Sequence, residues 1–370
     1  MSRPTILFAG GGTGGHLYPS LAIVEQLHAI AGDAAPAVHF ACSSRSVDAR
    51  VLTAAGVPFT PLAIEGLAAN PLTWPRWVGQ LLRTRRHSRE LLRAHEGRLV
   101  IATGGFVSVP VVLAARSLGV PTMLINLDAI AGKANRLLAR WVDQRYSVFA
   151  DAKLPGGAEM IGFPLRRAAL AARSAGAARA SFGLAGDRPT LLVAGGSLGA
   201  AAVNRTLGEL ARRGLLADHA AWQVLHLSGA GHDRAVRQGY ESAGVDAVVE
   251  AFTDRMGDAW AAADLAISRA GAGSAAEAWA NAVPTVFMPY PHHRDQHQRH
   301  NAAPLVSAGG AIIVDDHAEP AANADRLAPV LSGLLGDKPR RQAMAAALRQ
   351  TARPHAADHL ARKALEVVRW

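Results

Sequence analysis

The stretch FAGGGTGGHLYPSLAIVEQL, residues 8–27, decides the fold. Gly10, Gly12 and Gly15 match G-x-G-x-x-G. The apolar run from Thr5 to Phe8 precedes them, and Leu21, Val24 and Leu27 follow at helical spacing. A strand, a glycine turn and a helix form the opening of a doubly wound α/β unit. The same glycines serve two chemistries. They are the fingerprint of a dinucleotide site, or they let backbone approach any anionic ligand at a helix N-terminus. The dinucleotide reading asks for an acid at the end of the next strand, to bind a ribose. That strand, AVHFACSS (37–44), ends in Cys42, Ser43, Ser44 and Arg45 instead. NAD is disfavoured, while NADP stays open through the Ser-Arg pair.

Strand and helix patterns alternate outward from this motif. RLVIATGG (98–105), VPVVLAARSLG (109–119) and PTMLINL (121–127) read as strand, helix and strand. The pattern restarts at PTLLVAGGS (189–197) and AAAVNRTLGELARR (200–213). AWQVLHLSG, AVVEAF, LAISRAG and PTVFMPY then read as further strands. Such alternation predicts parallel sheets covered on both faces. Pro164 breaks the chain between the two halves. Residues 1–164 are therefore expected to form one Rossmann-like domain. Residues 165–370, with the C-terminal helices, are expected to form the other. Ligands are expected at the carboxyl ends of the strands, in a crevice bordered by both halves.

The chain has 370 residues, half of them hydrophobic and 18% charged, which suffices for buried cores. Cys42 is the one cysteine, so an internal disulfide is excluded. The opening MSRPTILFAGGG lacks the pattern of a secretory signal, and no apolar run is long enough to span a bilayer. The net charge of +10 favours anionic partners: phosphorylated ligands, acidic lipid or nucleic acid. No nucleic-acid-binding motif accompanies it. In residues 71–95, Trp74, Trp77, Val78 and Leu81 fall on one helical face among six arginines. That pattern fits a helix lying on an anionic membrane, and equally a core-facing stripe with a solvated basic side.

The block SRAGAGSAAEAWANAVPTVFMPYPHHRDQHQRHNA (268–302) carries the most chemistry. Ala272, Gly273 and Ser274 open a helix whose N–H groups could hold a diphosphate. Glu277, one turn in, could accept hydrogen bonds from two vicinal hydroxyls, or simply complement the helix dipole. Three histidines lie close together here, but without the spacing of a metal site.

Together GGTGGHLYPSLAIVEQL, ATGGFVSVP, VAGGSLGAAAVN and the late block resemble the MurG family, over nearly the whole chain. The resemblance implies a GT-B fold, two Rossmann-like doubly wound domains facing a cleft. It implies inverting transfer of N-acetylglucosamine from UDP-N-acetylglucosamine to an undecaprenyl-diphosphate-linked muramyl-pentapeptide. No cofactor or metal is implied. It also implies a peripheral position on the inner face of the bacterial cytoplasmic membrane. By position, Thr13, Gly14, Gly15 and His16 face the reacting sugars, with His16 the first candidate base. Gly104 and Gly105 form a second acceptor-side loop. Arg166 and Ser197 contact the donor, and Thr253 meets the uracil. Ala272 to Glu277 wrap the nucleotide, and His297 and Gln298 read the sugar hydroxyls.

One motif departs from the family. H-E-Q-N is replaced by Ile125, Asn126, Leu127 and Asp128, while Asn135 remains. Asp128 becomes the second candidate base, and the acceptor is less firmly implied than the donor. Another UDP-sugar transferase or epimerase, a noncatalytic UDP-sugar or lipid-binding paralogue, and more distantly an NADP oxidoreductase stay open.

Overall fold

A computed structural model describes residues 3–12, 14–66, 70–150, 152–292 and 296–368, with side chains undescribed at 14, 71 and 196–200. Two compact units divide the chain. The first comprises residues 1–166 and 353–370, and the second residues 167–352.

In the first unit, strands β1 (Thr5–Gly10), β2 (Ala37–Ser43), β3 (Phe59–Leu62), β4 (Gly97–Gly104), β5 (Thr122–Asn126), β6 (Gln144–Ser147) and β7 (Glu159–Met160) form one sheet. Its order is β3-β2-β1-β4-β5-β6-β7, with every pairing parallel. Helices α1 (Gly14–Ala31), α2 (Ser46–Ala54), α3 (Trp74–Ala94), α4 (Ser108–Ser117) and α5 (Lys133–Leu138) make the crossovers. β1 is buried along its whole length because helices cover both faces. The direction of winding reverses between β1 and β4, where Gly10 pairs with Gly104. Such a switch point opens a crevice at the carboxyl ends of the two strands.

The second unit repeats the plan. α6 (Ala175–Ser181) precedes β8 (Thr190–Ala194). Then follow α7 (Gly196–Arg212), β9 (Gln223–Leu227), α8 (Asp233–Ser242), β10 (Ala247–Glu250), α9 (Met256–Ala262), β11 (Leu265–Ser268), α10 (Ala272–Ala280), β12 (Thr285–Phe287), α11 (His297–Ser307) and β13 (Ala311–Ile313). Helices α12 (Pro320–Gly336) and α13 (Lys338–Thr351) complete it. The sheet order is β10-β9-β8-β11-β12-β13, again all parallel, with its switch point between β8 and β11.

The C-terminal segment departs from the expected domain plan. Helix α14 (Ala356–Val368) belongs to the first unit and packs on α1, not on the second sheet. Ala357, Leu360, Ala361, Ala364 and Leu365 make a buried stripe, so this helix needs a partner with an open apolar face. The return is fixed at Gly162, whose φ is +84° and whose missing Cβ would lie 2.7 Å from the Arg353 carbonyl. Arg166 likewise closes the first unit, whereas the sequence places it in the second domain.

Candidate active site

The opening glycine motif lies at the first switch point. Asp48, on α2 and wholly buried, accepts through Oδ2 from the Gly12 N–H at 2.8 Å. The same oxygen accepts from the Ser43 N–H at 3.0 Å and the Ser43 hydroxyl at 2.6 Å. Arg45 donates to the Gly12 carbonyl at 2.7 Å. Arg45, of the Ser-Arg pair that kept NADP open, is thus bonded to the turn itself. The acid missing from the strand end stands in α2 and faces the protein's own backbone. The Arg45 bond turns the arginine of the NADP reading toward the protein's own backbone.

Gly15 and His16 stand in the first turn of α1. The His16 Nδ1 lies 2.9 Å from the Thr103 carbonyl. A carbonyl only accepts, so Nδ1 carries the proton and Nε2 holds the lone pair of the neutral ring. The Thr103 hydroxyl donates back to the His16 carbonyl at 3.0 Å. The ring is therefore anchored to the end of β4. Thr13 lies outside the described residues.

Gly104 and Gly105 have φ of +113° and +81°. A Cβ on Gly104 would meet the His16 ring and the Asn135 amide, both at 3.0 Å. This glycine brings His16 and Asn135 together. Asn135 is buried and donates to the Asn126 Oδ1 at 3.1 Å, while its own Oδ1 has no hydrogen-bond partner among the described residues. Asn126 donates to the Asp128 carbonyl at 2.7 Å. Ile125 and Leu127 are buried. The altered motif therefore turns two apolar residues into the core and uses Asn126 to brace the loop that carries Asp128.

At the second switch point, Gly271 precedes α10 with extended backbone, and no side chain caps the helix. The first N–H groups of α10 belong to half-exposed Ala272, Gly273 and Ser274, and N–H groups at a helix start favour anions in general. Ser268 and Arg269 do not share that exposure. The buried Arg269 guanidinium donates to the carbonyls of Met288 (2.8 Å) and Pro289 (3.2 Å) and pairs with Asp316 at 2.7 Å. Asn301 donates to the Ala270 carbonyl at 3.4 Å. Both halves of the late block are thereby held together within the second unit.

Glu277 accepts from the Trp260 indole N–H at 2.9 Å. Burial pushes its carboxyl up to about 7, and the Trp260 bond pulls weakly the other way. The Gln298 carbonyl oxygen accepts from the Tyr290 N–H at 2.9 Å, which aims its NH2 group elsewhere. His297 begins α11. Thr253 is buried beside Phe252, which is 75% exposed at the carboxyl end of β10. Ser197 falls in the first turn of α7, and its side chain lies outside the described part. Arg166 pairs with Glu25 of α1 at 2.6 Å.

Two other histidines are held toward their neutral form. Burial lowers His226 to about 3 and His39 to about 4. His226 bridges Asn204 and Tyr240, each at 2.9 Å, as a neutral internal brace. Among the described residues no group of three or more His, Cys, Asp or Glu side chains could hold a metal ion.

The helical stripe of α3 differs from the expected one. Trp77 is half-buried and donates to the Glu65 carbonyl at 3.0 Å, and Leu81 packs against the core. The outward apolar residues are Leu72, Trp74, Val78 and Leu82, at 87, 48, 46 and 58% exposure. The pattern at spacing 74, 77, 78, 81 is the boundary of two faces.

These sites sit in sequence segments shared with known proteins. The model of the glycosyltransferase family 28 N-terminal domain matches residues 6–147, and that of the C-terminal domain matches residues 190–360. A Salinibacter ruber protein is 37% identical over 98% of this chain and 96% of its own length. It is named UDP-N-acetylglucosamine–N-acetylmuramyl-(pentapeptide) pyrophosphoryl-undecaprenol N-acetylglucosamine transferase. The chain belongs to glycosyltransferase family 28. The crystal structure of Acinetobacter baumannii MurG is similar, with a TM-score of 0.76 and 25% identity over 98% of this chain and 99% of its own. The two parallel-sheet units are accordingly the GT-B class. The UDP-GlcNAc 2-epimerase of Neisseria meningitidis shares that fold at TM-score 0.65 and 12% identity, over 98% of this chain and 100% of its own. That likeness speaks to fold alone. Family 28 membership separates the chain from the epimerase and dehydrogenase readings.

Proposed function

We propose that this protein transfers N-acetylglucosamine from UDP-N-acetylglucosamine to an undecaprenyl-diphosphate-linked muramyl-pentapeptide, with inversion at C1. The carrying observation is the 37% identity to a transferase of that name across nearly the whole of both chains. On this reading the labour is divided. The second unit binds the donor. The α10 N-terminus takes the diphosphate, Glu277 the ribose hydroxyls, Thr253 the uracil, and His297 and Gln298 the sugar. Ser197 completes the donor contacts within the second unit, and Arg166 of the first unit is carried over as a donor residue by the resemblance alone. Thr13, Gly14 and Gly15 face the reacting sugars and the acceptor diphosphate, Gly104, Gly105, Asp128 and Asn135 serve the acceptor, and His16 is the first candidate base. The acceptor hydroxyl oxygen attacks C1, its proton passes to the His16 Nε2, and the bond from C1 to UDP breaks. The charge that grows on UDP is stabilised by helix N–H groups already in place.

The test is release of UDP from UDP-N-acetylglucosamine with and without a lipid-linked muramyl-pentapeptide analogue. Release that requires the acceptor is expected. Donor binding without release on any lipid acceptor would instead identify a UDP-sugar-binding paralogue. The braced Asn126 loop is the observation that keeps this second reading in view.

A lipid acceptor places the reaction at a bilayer. No helix of the described residues is long and apolar enough to cross one. Leu72 just before α3, and Trp74, Val78 and Leu82 on it, stand outward, with Arg76, Arg83 and Arg86 exposed on the same helix. Tryptophan beside arginine suits the interface of an anionic leaflet, which supports peripheral attachment to the inner face of the cytoplasmic membrane. Replacing Trp74 and Leu82 with serine should weaken binding to anionic vesicles several-fold without lowering thermal stability. Unchanged vesicle binding would remove this face from the membrane.

A further inference from the structure

The turn between β1 and α1 is held by two side chains that glycosyl transfer does not itself call for. Gly12, at φ +96°, has its N–H bound by Asp48 and its carbonyl by Arg45. A Cβ on Gly11 would lie 2.3 Å from the Asp48 Oδ2 and 2.8 Å from the Ser43 nitrogen, so carboxylate and backbone are in close contact. Asp48 is wholly buried, and its Oδ1 has no hydrogen-bond partner among the described residues. A buried carboxylate with an unmet oxygen is a poor source of stability, because desolvation offsets much of what its bonds contribute. What it does supply is direction. Three donors converge on one oxygen, and Arg45 holds the opposite side of the same residue.

We propose that Asp48 and Arg45 are positioning residues for the transfer. They clamp Gly12 and thereby fix the start of α1, two residues further on, where Gly14, Gly15 and His16 meet the acceptor. His16 is then held from two directions, its ring by the Thr103 carbonyl and its backbone by the clamp. This role rests on the transferase reading, and one readout is independent of it.

The experiment uses the full chain with Arg45→Ala, Arg45→Lys, Asp48→Asn and the Arg45→Ala/Asp48→Asn pair. Arg45 is exposed and Asp48→Asn keeps its shape, so folding is retained in both. Turnover with the lipid-linked analogue, UDP affinity, melting temperature and hydrogen exchange at the Gly12 amide are measured. A displacement of about 1 Å at a reacting group costs on the order of 100-fold in rate. Each of Arg45→Ala and Asp48→Asn is therefore expected to lower kcat roughly 10- to 100-fold, while UDP affinity and melting temperature stay near wild type. Arg45→Lys should recover part of the loss. The double variant should fall short of the product of the single effects, because both act through Gly12. Gly12 exchange should accelerate in Asp48→Asn. Unchanged kcat in both single variants, or UDP affinity falling in step with kcat, overturns the proposal. A wild type that binds UDP but transfers nothing overturns the transferase reading and the clamp's part in it. Unchanged Gly12 exchange removes the clamp itself.

Discussion

Glu277→Ala should weaken binding of UDP on the order of 10- to 100-fold, the loss that accompanies removal of hydrogen bonds to a charged acceptor. Two ribose hydroxyls donate, and an ionised carboxylate has room for both beside the Trp260 N–H. The ionised form is the one burial disfavours, since the carboxyl is raised to about 7. UDP affinity should therefore decline as pH falls from 8 to 6, and the decline should vanish in Glu277→Gln. Stability moves the opposite way. A carboxyl raised in the folded state keeps its proton between its unfolded value, near 4.5, and about 7. Over that window the unfolded chain binds fewer protons, so native stability falls as pH rises and stays lower above it. Glu277→Gln removes this penalty and retains the Trp260 bond. Its melting temperature at pH 8 should equal or exceed wild type while its UDP affinity drops. Calorimetric titration with UDP and melts at pH 5 to 8 check both halves. Equal UDP affinity in Glu277→Ala would remove this carboxylate from the ribose.

The strands legible in the sequence are the apolar runs, and those ending in a glycine turn also mark the switch points. β1, β4, β8 and β11 are such runs, and they flank both switch points. β3 contains Pro61 and pairs on one side only, and β7 has two residues, so neither has the length or composition to announce a strand. The destination of α14 was hidden for another reason. Its buried stripe says that it packs, and nothing in a local pattern says on which unit. Glu277 stood out by its place one turn after the glycines, and Gln298 only through the family resemblance. Asp48 and Thr103 did not, because their partners lie 36 and 87 residues away. Trp77 and Leu81 follow the core-facing alternative that periodicity left open. They share a side of α3 that the loop at Glu65 and the core cover.

His16→Ala should lower turnover by roughly 100- to 10,000-fold, the range lost with a general base, and should leave UDP affinity intact. The Thr103 carbonyl fixes the tautomer, so Nε2 is the nitrogen free to take the acceptor proton. An anchoring role predicts the same sign for alanine, so a second substitution is needed. The amide of asparagine can replace the Nδ1–H in its bond to Thr103 but cannot accept a proton. If His16 is the base, His16→Asn should be as slow as His16→Ala while melting like wild type. If the ring only pins α1 to β4, His16→Asn should recover most of the turnover. Asp128 provides the contrast. It sits on the loop braced by Asn126 and is the other carrier of a base on the acceptor side. Asp128→Asn should keep most of the turnover if the proton goes to His16. A collapse there, with His16→Asn active, would transfer the role to Asp128. The replacement of the family's H-E-Q-N by Ile125 to Asp128 would then be a relocation of the base rather than the loss of an acceptor contact.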